Sequence, residues 1–169
     1  MGFTRHLSAG EIVGQIRVLT REFDLIDSTF NVVLMGMGEP LHNYDAVMKA
    51  LDILTDLNGI AMPSRRITLS TIGLIPALER LATASVMPNL AVSLHATTEE
   101  LRNQLVPMNK KYSLKDLMEV CRRFPVRKRE QITFEYVLIA GINDSIADVA
   151  RLAALLSGMP AKVNVIPLN

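Results

Sequence analysis

Residues 31–43 read Asn31-Val32-Val33-Leu34-Met35-Gly36-Met37-Gly38-Glu39-Pro40-Leu41-His42-Asn43, and this stretch decides the fold. Its first five residues form an apolar run without alternation, the pattern of a strand buried on both faces. Two glycines then let the backbone turn sharply and approach a ligand closely, and Pro40 stops the strand. Glu39 therefore leaves the carboxyl end of a buried strand, the end at which α/β sheets and barrels bind ligands. An ordinary Gly/Pro turn with a solvated carboxylate carries the same letters, so the meaning of Glu39 depends on its surroundings in the chain.

Upstream, Ser8-Ala9-Gly10-Glu11 is a capping box, followed by Ile12, Ile16, Leu19 and Phe23 on one face of a helix. Downstream, a second helix spans about Asp45 to Leu57, with Val47, Leu51 and Leu54 inward. The next strand is Arg66 to Thr71, and Pro76 suits the first turn of a third helix carrying Leu78 and Leu81. Leu90 to His95 is another strand. A polar stretch leads to Ser113, which caps a helix with Leu114, Leu117, Met118 and Cys121 on one face. Gln131 to Ile139 is a β-rich strand, Ser145 caps a helix running to Leu156, and Lys162 to Pro167 is the last strand. The order αβαβαβαβαβ has no hairpin signal, which predicts right-handed crossovers and a parallel sheet, open or a partial (β/α) barrel. It starts on a helix with no strand before it, so the edge of the first strand is expected to be unpaired.

The 169 residues make one large domain or a contiguous piece of a larger one, and 49% hydrophobic residues suffice for a sizeable core. With 18 basic and 17 acidic residues the formal charge is +1. That excludes a strongly cationic nucleic-acid coat but leaves room for a local basic patch. There is neither an apolar run of membrane-spanning length nor a signal-peptide pattern at the start, so no membrane association is expected. Cys121 is the single cysteine, which excludes an internal disulfide framework, fits a reducing cytoplasm and excludes a Cys-only metal or cluster site built from this chain alone. On its apolar helix face it reads as a small core hydrophobe.

Polar groups recur where strands end: Glu39 after the first, Ser70 in the second, Ser93 and His95 at the third, Asn169 after the last. Parallel strands would gather them at one rim. A carboxylate, hydroxyls, an imidazole and an amide suit a polar, zwitterionic small molecule.

The segments G-M-G-E-P-L-H-N, R-R-I-T-L-S-T-I-G, L-A-V-S-L-H-A, P-M-N-K-K-Y, T-F-E-Y-V-L-I-A-G-I-N-D and K-V-N-V-I-P-L-N occur in this order. In that combination the chain resembles, over essentially its whole length, the RlmN/Cfr family of radical-SAM adenine-C2 methyltransferases of 23S ribosomal and transfer RNA. The resemblance implies the core of a partial (β/α)6 barrel over residues 1–169, lacking its first strand, with S-adenosylmethionine as ligand. It implies that Gly38 and Glu39 hold the methionine amino group and that Ser70, Ser93, Leu94, His95 and Asn169 make further cofactor contacts. In the family one cofactor molecule donates a methyl group to a protein cysteine and a second is cleaved to a radical.

The chain departs from the family at its cysteines. The family holds a [4Fe–4S] cluster with a C-x-x-x-C-x-x-C run upstream of the opening helix, and carries the methyl group on a cysteine near its C-terminus. Cys121 matches neither. No catalytic residue and no metal ligand is therefore expected here. The chain reads as a central segment, inactive alone, whose N-terminal RNA-binding domain and C-terminal tail are missing partners. Arg65-Arg66, Lys110-Lys111, Arg122-Arg123 and Arg127-Lys128-Arg129 are candidate phosphate contacts, although a solvated face explains each as well. Two other readings stand beside this one. The first is a (β/α)-barrel lyase or isomerase with Glu39 as base and His95 as acid, which needs a late phosphate-binding loop that Val163 to Asn169 does not offer. The second is a truncated relic without catalysis.

Overall fold

Among residues 4–25, 28–35 and 37–168, which the computed structural model describes, five strands are separated by helices. The order is α1 (Ala9–Glu22), β1 (Val32–Leu34), α2 (Tyr44–Thr55), β2 (Ile67–Thr71), α3 (Ile75–Leu81), β3 (Asn89–Ser93), α4 (Glu99–Leu105), α5 (Leu114–Arg123), β4 (Ile132–Leu138), α6 (Ile146–Leu156) and β5 (Ala161–Pro167). The strands form one sheet in the order β1-β2-β3-β4-β5. A sequential order belongs to an arc of a (β/α) barrel, since a doubly wound sheet reverses its order midway. The expected αβ alternation holds except for α4, which the sequence presents only as a polar stretch. Gly36 and Asn169 lie outside the described residues.

The chain divides into two compact units, one of Met1–Ser70 and Ala84–Asn89, the other of Thr71–Thr83 and Leu90–Asn169. In the first, Ser8 and Glu11 form the capping box that starts α1. Val47, Ala50, Leu51 and Leu54 make the buried face of α2, which packs against α1. β1 and β2 pair in parallel, with Val32 opposite Ile67 and Leu34 opposite Leu69.

Two expectations need correction here. β1 is not buried on both faces: Val32 is buried, but Val33 is 50% exposed and Met35 is exposed as well. Among the described residues β1 lies at the end of the sheet order and only its Val32 face is covered, so an unbroken apolar run does not report two covered faces. Nor is α1 buried along its full apolar stripe. Ile12 is buried, whereas Leu19 and, just past the helix end, Phe23 (66%) are exposed, so burial is confined to the first half of the helix.

In the second unit β3 pairs in parallel with β4, and β4 with β5 over seven residue pairs from Ile132–Ala161 to Leu138–Pro167. Leu90, Val92, Phe134 and Tyr136 from the strands and Leu78, Leu81, Leu117 and Met118 from α3 and α5 are buried. β5 ends the sheet order, and Val163, Val165 and Ile166 remain exposed on it.

Gly73 turns the chain between β2 and α3 with φ +103°, and a Cβ there would lie 2.8 Å from Leu117 Cδ1. Both the left-handed backbone and the space are against a side chain. Gly73→Ala should therefore lower the urea midpoint by the equivalent of about 1–3 kcal/mol with an unchanged m-value. Gly38→Ala, whose Cβ meets nothing within 4 Å, should lose less, through its φ of +103° alone. Equal losses in the two variants would show that Leu117 yields freely.

Candidate functional site

In the first unit, Gly38 and Glu39 follow β1 and Ser70 lies in β2, so these candidates share the carboxyl ends of one parallel pair. Glu39 starts a 3-10 turn, Pro40–Asn43, and its Oε1 accepts the Leu41 N–H at 3.0 Å. The side chain is half-buried and its backbone is extended (φ −111°), so the turn fixes where the carboxylate sits. Asn43 Nδ2 donates to the Leu7 carbonyl at 2.7 Å and anchors this turn to the segment ahead of α1. Ser70 is buried.

In the second unit, β3 ends at Ser93 and the chain leaves the sheet through Leu94 and His95. Both of those N–H groups donate to the Glu135 carbonyl, at 3.0 and 3.2 Å. His95 then takes a left-handed conformation, φ +58°, and the Ala96 N–H donates back to the Leu94 carbonyl at 2.8 Å. The result is a three-residue γ-turn centred on His95, a conformation a non-glycine residue adopts only under strain. The sequence does not signal it, for the L-A-V-S-L-H run simply reads as a strand continuing to His95.

Asn143 fastens this turn. Its Nδ2 donates to the His95 carbonyl (2.8 Å) and the Val137 carbonyl (2.7 Å), its Oδ1 accepts the Ile139 N–H (2.7 Å), and the Tyr136 hydroxyl donates to its own carbonyl (2.9 Å). The imidazole is fixed as well: His95 Nδ1 accepts the Val137 N–H at 3.2 Å. An accepting Nδ1 carries no proton, so the neutral ring bears its hydrogen on Nε2. Burial, and next the positive charge of Arg102, hold its pKa below the ordinary histidine value.

Arg102, on α4, carries no signal of its role in the sequence. Only 1% exposed, it donates from Nε to the Leu94 carbonyl (3.2 Å) and from Nη2 to the carbonyls of Ser93 (3.1 Å) and Ile72 (2.8 Å). Its Nη1 donates to Asn109 Oδ1 at 2.7 Å.

The remaining candidates fall outside this chemistry. Cys121 is buried, as a core residue should be, and burial pushes its thiol up to about 12. Among the described residues no group of three or more His, Cys, Asp or Glu is placed to hold a metal ion, so the donor set does not fit an iron–sulfur cluster. Several of the candidate phosphate contacts are engaged locally. Arg122 donates to the Leu155 carbonyl, Arg123 lies 4.0 Å from Glu79, Arg127 pairs with Glu130 at 2.6 Å, and Lys111 sits over the Tyr112 ring. No described helix is long and apolar enough to cross a membrane.

Residues 3–153 match the radical SAM superfamily. Over 166 residues the chain is 49% identical to the dual-specificity RNA methyltransferase RlmN of Pelobacter propionicus, an overlap of 98% of this chain and 47% of that protein. It is 50% identical to the RlmN of Geobacter sulfurreducens, covering 98% of this chain and 45% of that one. The crystal structure of a radical SAM methyltransferase from Sphaerobacter thermophilus superimposes with a TM-score of 0.94 at 46% identity, over 100% of this chain and 50% of that one. The chain thus spans about half the length of the relatives it matches.

A neutral imidazole in the fold gives a testable pH dependence. Because the folded pKa of His95 is depressed, the unfolded chain takes up the proton first as pH falls. The contribution is complete above the unfolded value near 6.5 and is lost between there and the lower folded pKa. His95→Asn, which tolerates the left-handed backbone, should flatten the stability–pH curve in that window. A wild-type curve already flat between pH 5 and 7 would contradict the assignment.

Proposed function

The chain belongs to the radical SAM superfamily, and from that premise we propose that it is the S-adenosylmethionine-binding core of a methyltransferase that modifies adenine C2 in RNA. What carries the proposal is the 49–50% identity, over 98% of the chain, to proteins named dual-specificity RNA methyltransferases. In this reading 23S rRNA and tRNA are the substrates, the cytoplasm is the compartment, and other segments of the same protein are the partners.

The residues suit the ligand. S-adenosylmethionine carries an ammonium and a sulfonium beside its carboxylate, so a site for it should offer hydrogen-bond acceptors. Glu39, steadied by the turn it caps, supplies a carboxylate for the ammonium, with Gly38 shaping the approach. Ser70 adds a hydroxyl, and Ser93, Leu94 and His95 add a hydroxyl, backbone groups and an imidazole held neutral. Asn169 is assigned to the cofactor by resemblance alone. When bound, the cofactor supplies a methyl group on an activated sulfur. The protein's share is to hold and orient it.

The chain's own residues do not fit the [4Fe–4S] cluster of the family, since its one thiol is buried. We propose accordingly that these 169 residues alone do not methylate RNA and that the reactive thiols belong to other parts of the same protein.

Two measurements test the proposal. Equilibrium dialysis should detect S-adenosylmethionine on the protein, and Glu39→Ala should weaken binding by about tenfold or more, the scale of one lost charge-assisted contact. Lys128→Ala, on an exposed loop, should leave it unchanged. Equal affinities of the Glu39→Ala variant and the parent would remove Glu39 from the cofactor site. In the second measurement, residues 1–169 with reductant, cofactor and 23S rRNA should yield no methylated adenine. Turnover by that chain would refute the proposed division of labour.

A further inference from the structure

We propose that Arg102 is the positioning residue of the cofactor site, the group that holds the Ser93–Leu94–His95 turn in its ligand-ready conformation. The proposal rests on the reading of that segment as a cofactor contact, and it adds a residue which that reading does not contain.

The argument starts from strain. A left-handed turn at a non-glycine residue costs of order 1–3 kcal/mol and persists only where the surroundings over-determine it. Among the described residues, two side chains reach the turn's carbonyl oxygens from outside the strands. Asn143 takes the His95 carbonyl, and Arg102 takes those of Ser93 and Leu94. The Leu94 carbonyl is the one that closes the γ-turn through the Ala96 N–H, so the guanidinium sits on the oxygen around which the chain reverses. The same guanidinium binds the Ile72 carbonyl just beyond β2, which fixes the turn against a second segment of its unit.

A buried guanidinium is an expensive way to satisfy carbonyls, which neutral donors satisfy elsewhere in the fold. Among the described residues, its hydrogen bonds go to uncharged oxygens, those of Leu94, Ser93, Ile72 and Asn109. The nearest carboxylate in the chain of bonds, Glu99, is reached through Asn109, whose Nδ2 donates to Glu99 Oε2 at 2.7 Å. Burial lowers the Arg102 pKa to about 10, so the charge remains at neutral pH. That charge also helps keep His95 neutral. Arg102 therefore holds the shape of the turn, and its charge adds to burial in keeping the imidazole neutral. Only the planar fork of arginine can address these oxygens together, and a lysine ammonium cannot.

The test uses the intact protein with its natural flanking sequence. Arg102→Lys keeps the charge and removes the fork, Arg102→Met removes both, and Leu81→Ala serves as a core control away from the turn. Two readouts are taken: S-adenosylmethionine affinity by equilibrium dialysis, and the His95 ring nitrogens by 15N-histidine NMR. Arg102→Lys should weaken cofactor binding at least about tenfold, the scale of one lost hydrogen bond to a charged group, and shift the His95 Nδ1 resonance. Leu81→Ala, matched for melting temperature, should change neither. If Arg102→Met fails to fold, Arg102→Lys alone decides. Unchanged affinity and an unchanged Nδ1 signal in Arg102→Lys, with only the melting temperature lowered, would leave Arg102 a purely structural residue and overturn the proposal. If the parent protein binds no S-adenosylmethionine, the function proposed above fails. This inference, which rests on that function, then fails with it, whereas a parent that binds the cofactor no more tightly than Arg102→Lys overturns this inference alone.

Discussion

A strand that ends inside a protein leaves carbonyl oxygens that water cannot reach, and every such oxygen needs a donor. At the end of β3 this requirement organises much of the second unit. The Glu135 carbonyl takes two amides, Asn143 covers the His95 carbonyl, and the Arg102 guanidinium covers those of Ser93 and Leu94. α4 brings Arg102 into place, starting at Thr98, whose hydroxyl accepts the Leu101 N–H. Glu99, in the first turn of α4, accepts the amides of Leu114 and Lys115 where α5 begins. A carboxylate at a helix N-terminus is favoured by its free amides and its dipole, so one residue joins two helices around the Arg102–Asn109 contact.

The elements legible in the sequence are those whose signal is local. Capping residues name the starts of α1, α5 and α6, and each cap makes the expected side-chain bond. The apolar face of α5 is buried at Leu114, Leu117, Met118 and Cys121 as its spacing requires. α4 escaped for the opposite reason. Its inward residue is an arginine, and a charged residue in a polar stretch reads as surface, because burial of a charge is rare unless long-range partners receive it. The exposed half of α1 fails differently. Apolar periodicity says which face seeks cover but not how far along the element cover extends.

The candidate site was legible as a set of residue types and illegible as geometry. Glu39 on its turn follows from two glycines and a proline. The γ-turn at His95 depends on Arg102, a charged residue in a polar stretch that reads as surface, and on Glu135, Val137 and Asn143, which lie more than one element away. A strained conformation fixed by distant groups is where local reasoning should fail, and such places are enriched in function.

The lone cysteine sharpens the division between orientation and reaction. A thiol that ligates iron or accepts a methyl group must be available as thiolate, which calls for exposure and positive surroundings. Cys121 has the reverse: it is buried, and burial pushes its thiol up to about 12 even though Arg102 and Arg122 act in the other direction. The positive charge nearest the turn is thus spent on carbonyl oxygens rather than on activating sulfur. In the proposed function the chain's share is accordingly to shape and orient the ligand, the role that a cofactor carrying its own activated methyl group leaves to the protein.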